Sequence, residues 1–172
     1  MQKPLVNYAF IDGSNLTLSI REQGWNLDYS RFRVYLKEHY GVKKAYYFIG
    51  YLPIHNDLYN SLQTAGYNLI FKPTFTDRKG KTKGNCDAEL VLQAMIDLAN
   101  YQRAVIVSGD GDFYCLVNYL SKINKLNCVL VPNINKYSLL LRKSAGNKIA
   151  FISELQLKLA YKRKEPHKDG TS

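Results

Sequence analysis

AVIVSGDGDF, residues 104–113, sets four apolar residues ahead of a serine, two glycines and two aspartates. A strand with no polar residue on either face has to be covered on both, as in a parallel sheet clad in helices. The two glycines let the backbone turn sharply, so Asp110 and Asp112 arrive at the carboxyl end of the strand and the start of the next helix. YAFIDGSN, residues 8–15, repeats the pattern: an apolar run closes on Asp12, Gly13 permits a tight turn, and Ser14 and Asn15 can cap a helix. Further β-branched and aromatic runs near residues 45–51, 67–72, 128–131 and 148–152 alternate with helical patterns. Asp28 can cap a helix to about His39, Asn56 one to about Ala65, and Asp112 one to about Ile123, while Ser153 and Glu154 open a last helix. This rhythm predicts one doubly wound α/β domain over residues 1–161, its mostly parallel sheet sandwiched between helices, followed by a loose basic tail at 162–172. Residues 73–84 are the single long polar loop.

Composition narrows the partners. Among 172 residues, 24 Lys and Arg outnumber 14 Asp and Glu, a net charge of +10 that favours polyanions, nucleic acid first. Three basic clusters carry it. Residues 113–153 hold no acid but include Lys122, Lys125, Lys136, Arg142, Lys143 and Lys148; Arg78, Lys79, Lys81 and Lys83 fall in the polar loop; Lys162, Arg163 and Lys164 open the tail. Lys79, Lys81, Lys83, Lys136, Arg142 and Lys143 are the candidate nucleic-acid contacts. No apolar run approaches the roughly 20 residues of a membrane span, and the N-terminus reaches Asp12 before a signal-peptide core can develop. The expectation is a soluble, cytoplasmic protein without a membrane partner. Three cysteines lacking C-x-x-C spacing and three scattered histidines argue against a disulfide framework or structural zinc.

Against this basic background, Asp87, Glu89, Asp97, Asp110 and Asp112 crowd into residues 87–112 with Arg103 as the one cation. Ligands of open α/β sheets bind beyond the carboxyl ends of the strands, where the strand order reverses. Asp12 and Asp110 sit at such ends. Asp87 begins the helix DAELVLQAMIDLA and heads the stripe Leu90, Val91, Ala94 and Leu98, the side expected to face the sheet, whereas Glu89 points about 200° round from it. Converging carboxylates repel one another unless a cation joins them, and oxygen-only donors select Mg²⁺ or Mn²⁺ over zinc. The expected ligands are Asp12 and Asp110 directly, Asp87 and Asp112 directly or through water, with Asn15 and Ser108 behind them. The same four aspartates are the candidate catalytic residues. Each also has a simpler reading as a helix cap or turn former.

IDGSN at 11–15, KGNCDAEL at 83–90 and VSGDGDF at 107–113 together resemble the NYN domain family, a branch of the PIN-like nucleases that includes the LabA-like (DUF88) bacterial proteins. The resemblance runs from about residue 6 to residue 151. It implies a PIN-like α/β/α sandwich with the first strand beside the one ending at Ser108, metal-dependent ribonuclease activity, and an acidic set on Asp12, Asp87, Asp110 and Asp112 with Asn15 as polar partner. The chain departs from many members in carrying Gln93 where a further Asp is usual, with Asp97 a turn later. The expected activity is endonucleolytic cleavage of single-stranded or loop RNA; the alternative is a non-catalytic RNA-binding or adaptor module on the same fold. Oligomeric state stays open between monomer and dimer. The aromatic run AYYFIGY, including Tyr46, Tyr47 and Tyr51, reads as ordinary core, Tyr114 and Tyr137 as better candidates for base stacking, and Cys86 as packing.

Overall fold

The computed structural model describes residues 6–163, without the side chains of residues 82 and 83. In chain order the elements are β1 (Asn7–Asp12), α1 (Gly13–Glu22), α2 (Tyr29–Tyr40), β2 (Val42–Gly50), α3 (Asn56–Thr64), β3 (Asn68–Lys72), β4 (Phe75–Thr76), β5 (Thr82–Lys83), α4 (Asp87–Ile96), β6 (Ala104–Val107), α5 (Tyr114–Lys122), β7 (Leu126–Val131), α6 (Leu139–Ala145), β8 (Ile149–Phe151) and α7 (Gln156–Leu159). Six strands form one sheet in the order β3-β2-β1-β6-β7-β8, every neighbouring pair parallel. The order reverses between β1 and β6, which pair from Tyr8 with Ala104 to Ile11 with Val107. Their carboxyl ends therefore open side by side.

Strand alternation divides the core into two layers. Ala9, Ile11, Tyr47, Val105 and Val107 face Leu16 and Ile20 of α1, Phe32 and Leu36 of α2 and Leu62 of α3. Phe10, Tyr46, Phe48, Ile106 and Val129 face Leu90 and Ala94 of α4, Leu116, Val117 and Leu120 of α5 and Leu141 of α6. Each of these side chains is at most 7% exposed, so at ~25 cal/mol per Å² of apolar area the two layers supply the main favourable term in folding. Tyr46 and Tyr47 belong to opposite layers, as the alternation in AYYFIGY requires. Tyr51 does not. It lies past the end of β2 and is 40% exposed, because the strand stops at Gly50 and the sheet no longer has a covered face there.

Several local expectations are corrected. Asn56 is the first residue of α3 rather than its cap, since a 3₁₀ turn at Pro53–His55 precedes it. A second 3₁₀ turn at Gly111–Phe113 moves the start of α5 to Tyr114, and the side chain capping that turn is Asp110, not Asp112. The α1 cap is Asp12 itself, which accepts from the Asn15 amide, and not Ser14 or Asn15. A third 3₁₀ turn, Ile152–Leu155, opens the last helix. At α3, α5 and α7 one tight turn absorbs the first helical residues. The polar loop contains the short antiparallel ribbon β4–β5, pairing Phe75 with Lys83 and Thr76 with Thr82. Asp28 does cap α2, accepting from the Arg31 amide at 3.0 Å. Of the expected tail, residues 164–172 lie outside the described residues, and no described helix is long and apolar enough to cross a membrane.

Candidate metal centre

Asp12 closes β1, and the chain leaving β6 passes Ser108 and Gly109 to reach Asp110. The two ends are tied together through side chains. Ser108, fully buried, donates its hydroxyl to Asp12 Oδ2 at 3.0 Å and accepts from the Asp110 amide at 3.1 Å. Asn15 donates its amide to Asp12 Oδ1 at 3.2 Å and accepts on Oδ1 from the Gly109 amide at 2.9 Å. Asp110 Oδ1 accepts from the Asp112 amide at 2.9 Å. Asp87 enters from the opposite side on the first turn of α4, oriented by Asn85, whose Nδ2 donates to Asp87 Oδ2 and whose Oδ1 accepts from the Asp87 amide, both at 2.8 Å.

Two glycines are fixed by close packing here. A Cβ on Gly13 would stand 2.4 Å from Tyr47 Cε1 and 2.6 Å from the Phe48 carbonyl oxygen, and one on Gly111 would stand 2.4 Å from Ser138 Oγ. Any side chain at Gly13 would push the first turn of α1 off β2 and carry Asp12 with it. The loop that leads into α6 supports the second turn, as the Ser138 amide donates to the Gly109 carbonyl at 3.1 Å.

The outcome is a convergence of three carboxylates. One oxygen from each of Asp12, Asp87 and Asp110 lies within 4.8 Å of the others, and all three groups are half-buried. Burial pushes the Asp12 carboxyl up to about 6 from an ordinary 3.8; the Asn15 amide and Ser108 hydroxyl oppose this, and the charges of Asp87 and Asp110 add to it. Asp87 is also raised, by burial first, with Asn85 opposing and Asp110 and Asp112 reinforcing. Among the described residues no lysine or arginine forms an ion pair with the trio. Lys72, which lowers Asp87 slightly, is instead paired with Glu89 at 3.4 Å. Oxygen donors converging in a partly buried, anionic pocket are a set that a divalent cation could occupy.

The other predicted residues fall into three groups. Asp112 is exposed and outside the trio, near enough for its charge to act on Asp87. Asp97 is remote from it in role: buried at the end of α4, it accepts from Tyr46 at 2.6 Å, Gln93 at 2.9 Å and Asn100 at 2.9 Å. Gln93 and Asp97 thus satisfy each other. Of the basic candidates, Lys79 and Lys81 are exposed on the ribbon turn, Arg142 and Lys143 are exposed on α6, and Lys136 pairs with Glu22 at 3.0 Å. Lys83 belongs to β5, but its side chain is outside the described residues. Tyr114 is 45% exposed, while Tyr137 is partly buried against Phe151 with ring centroids 5.4 Å apart. Cys86 is buried, its thiol pushed up to about 11 mainly by that burial, consistent with packing. Asn85 was not among the expected site residues. The signal for it is its place two residues before Asp87, the spacing at which an Asn side chain closes a turn onto the backbone.

The family model of the NYN domain matches residues 8–150. This chain belongs to the NYN domain family. Among solved structures, a protein of unknown function from Vibrio parahaemolyticus RIMD 2210633 shares 25% identity, with a TM-score of 0.76 over 94% of this chain and 100% of that one. A search of curated proteins finds no match. The NYN domain thus carries a PIN-like, nuclease-type fold, and its Asp12, Asp87 and Asp110 cluster is compatible with a divalent metal.

Proposed function

We propose that this NYN domain is a divalent-cation-dependent endoribonuclease that cleaves single-stranded or loop RNA, with water attacking in line to leave a 5′-phosphate and a 3′-hydroxyl. The observation carrying the proposal is the meeting of Asp12, Asp87 and Asp110 within 4.8 Å at the switch point of a strongly basic chain. Asp12, Asp87 and Asp110 would hold Mg²⁺ or Mn²⁺, which when bound supplies Lewis acidity toward phosphate and lowers the pKa of water. Ser108 and Asn15 keep Asp12 in one rotamer, so the carboxylate geometry exists before substrate arrives. Asn85 does the same for Asp87. Asp112, exposed beside the trio and close enough for its charge to act on Asp87, would reach the ion through water. Lys79, Lys81, Arg142 and Lys143 hold the phosphate backbone, and these exposed cations supply affinity without reading sequence. The cytoplasm is the compartment that fits such a substrate.

Cleavage of labelled RNA with Mg²⁺, with Mn²⁺ and with EDTA tests this, alongside Asp12→Asn and Asp110→Asn. Turnover should require the cation and fall by at least ~100-fold in both variants. Variants that cut at the parental rate refute the assignment. RNA binding without turnover under any cation would instead make the chain a binding module.

A further inference from the structure

Beyond the carboxylates, a second feature lies at the same end of the sheet. Tyr51 and Phe71 are 40% and 39% exposed, and their ring centroids are 5.4 Å apart in an edge-on arrangement. Tyr59 is buried beside both, 5.8 Å from Tyr51 and 4.8 Å from Phe71. Phe75, on β4, is 73% exposed. Apolar rings of this size are normally covered, and none of the three is needed to complete either core layer.

Their backbone is held firmly. The Tyr59 hydroxyl accepts from the Leu52 amide at 3.0 Å and donates to the Gly50 carbonyl at 3.2 Å. The Thr74 hydroxyl donates to the Tyr51 carbonyl at 2.8 Å, and the Tyr51 amide to the Lys72 carbonyl at 2.9 Å. Beyond Phe75 the ribbon turn exposes Arg78, Lys79 and Lys81, and the one acid within that turn, Asp77, spends its Oδ1 on the Lys79 and Lys81 amides at 2.9 Å each. The base of the ribbon returns to the metal centre: a Cβ on Gly50 would lie 3.3 Å from the Gly84 carbonyl oxygen, and the next residue, Asn85, is the one that orients Asp87.

We propose that Tyr51, Phe71 and Phe75, with Arg78, Lys79 and Lys81, form a stacking shelf for the unpaired bases of single-stranded RNA on its way to the carboxylates. The inference rests on reading the trio as a nucleic-acid-processing centre. Aromatic faces beside a cationic strip match the two faces of a single strand, its bases and its phosphates. A duplex keeps its base faces stacked inside and has nothing to lay on these rings. β3 lies two strands from β1, about 10 Å at the usual strand spacing, so a few nucleotides connect shelf and site. Specificity for unpaired RNA then follows from the surface outside the metal centre.

The test uses the full chain carrying Asp110→Asn, in EDTA, so that binding is measured without cleavage. Fluorescence anisotropy follows a labelled oligouridine, an abasic ribose-phosphate strand of equal length, and an RNA duplex. Tyr51→Ala and Phe75→Ala should each weaken oligouridine binding by about tenfold, leave the abasic strand and duplex unchanged, and recover with Tyr51→Phe and Phe75→Trp. Lys79→Ala with Lys81→Ala should weaken all three ligands and lower the salt slope by about 1.4 on the two single strands and about 1.8 on the duplex. Parental affinity in both alanine variants overturns the shelf, as does an equal loss on the abasic strand. If the unmodified chain cuts no RNA but these variants lose oligouridine binding, the nuclease reading fails and the shelf stands. Cleavage with unchanged binding gives the reverse.

Discussion

Asp12→Asn should stabilise the metal-free protein, and only above a definite pH. The carboxyl of Asp12 is raised from 3.8 to about 6 by burial, so the folded state holds its proton more tightly than the unfolded state. Its contribution to stability is therefore fully present below pH ~4 and is lost as pH rises through about 6. Holding the proton at about 6 rather than 3.8 corresponds to about 3 kcal/mol at neutral pH. Asparagine removes that penalty but returns something. Its single oxygen can still accept from the Asn15 amide, while Ser108, already accepting from the Asp110 amide, must give up its donation to Oδ2. One perturbed hydrogen bond costs about 1 kcal/mol, which leaves a net gain of ~2 kcal/mol. For a domain of this size that is a rise of about 4–8 °C in Tm. The assay is thermal and urea unfolding of both proteins in EDTA from pH 4 to pH 8. The two stabilities should diverge progressively between about pH 4 and pH 6 and reach a plateau difference by pH 7.5. A difference that does not change with pH, or a less stable variant at pH 7.5, refutes the account of a strained anionic pocket.

The remaining expectations are shorter. Mn²⁺ at ~100 times its dissociation constant should stabilise the parental fold by about 2.7 kcal/mol, and calorimetry without any Mn²⁺ or Mg²⁺ dependence counts against a folded-state site. Gly13→Ala, which would place a carbon 2.4 Å from Tyr47, should cost about 1–3 kcal/mol in urea unfolding and reduce cation affinity by displacing Asp12. Tyr46→Phe removes a donor to Asp97; burial raises that carboxyl, but bonds from Tyr46, Gln93 and Asn100 hold it below its ordinary value. Its loss should cost about 1–2 kcal/mol at pH 7, and the deficit should shrink as pH falls below the usual carboxylate range, where this stabilisation disappears in the parent too. RNA affinity should fall steeply between 50 and 200 mM salt, with a log–log slope near −0.7 per neutralised phosphate on a single strand, and a flat response removes the electrostatic basis of binding.

The apolar run before SGDGDF and the one before IDGSN were enough to place two carboxylates at strand ends, because a strand buried on both faces leaves few sheet positions open to it. Helical phase brought Asp87 to the same point, since heading the buried stripe of α4 puts it over the end of the sheet. The signal failed where one residue can serve two local geometries. Asp12 and Asp110 are caps and members of the trio at once, whereas the sequence reading places those caps on Ser14 or Asn15 and on Asp112. Tyr51 was misread because alternation along AYYFIGY continues in the letters after the strand has ended at Gly50. The ribbon β4–β5 was invisible because two pairs of residues are too short to show a period.

Four backbone amides, those of Asn15, Gly109, Asp110 and Asp112, all terminate on side-chain oxygens of Asp12, Asn15, Ser108 and Asp110. They straddle the seam where the β1–β3 half of the sheet meets the β6–β8 half, and the buried Ser108 hydroxyl is the rivet common to both sides. Each of these oxygens braces the turn that carries the next, so the four bonds hold the seam as one unit beside the β1–β6 pairing. An ion seated on the three carboxylates would add one more tie across that seam, from the ends of β1 and β6 to the first turn of α4.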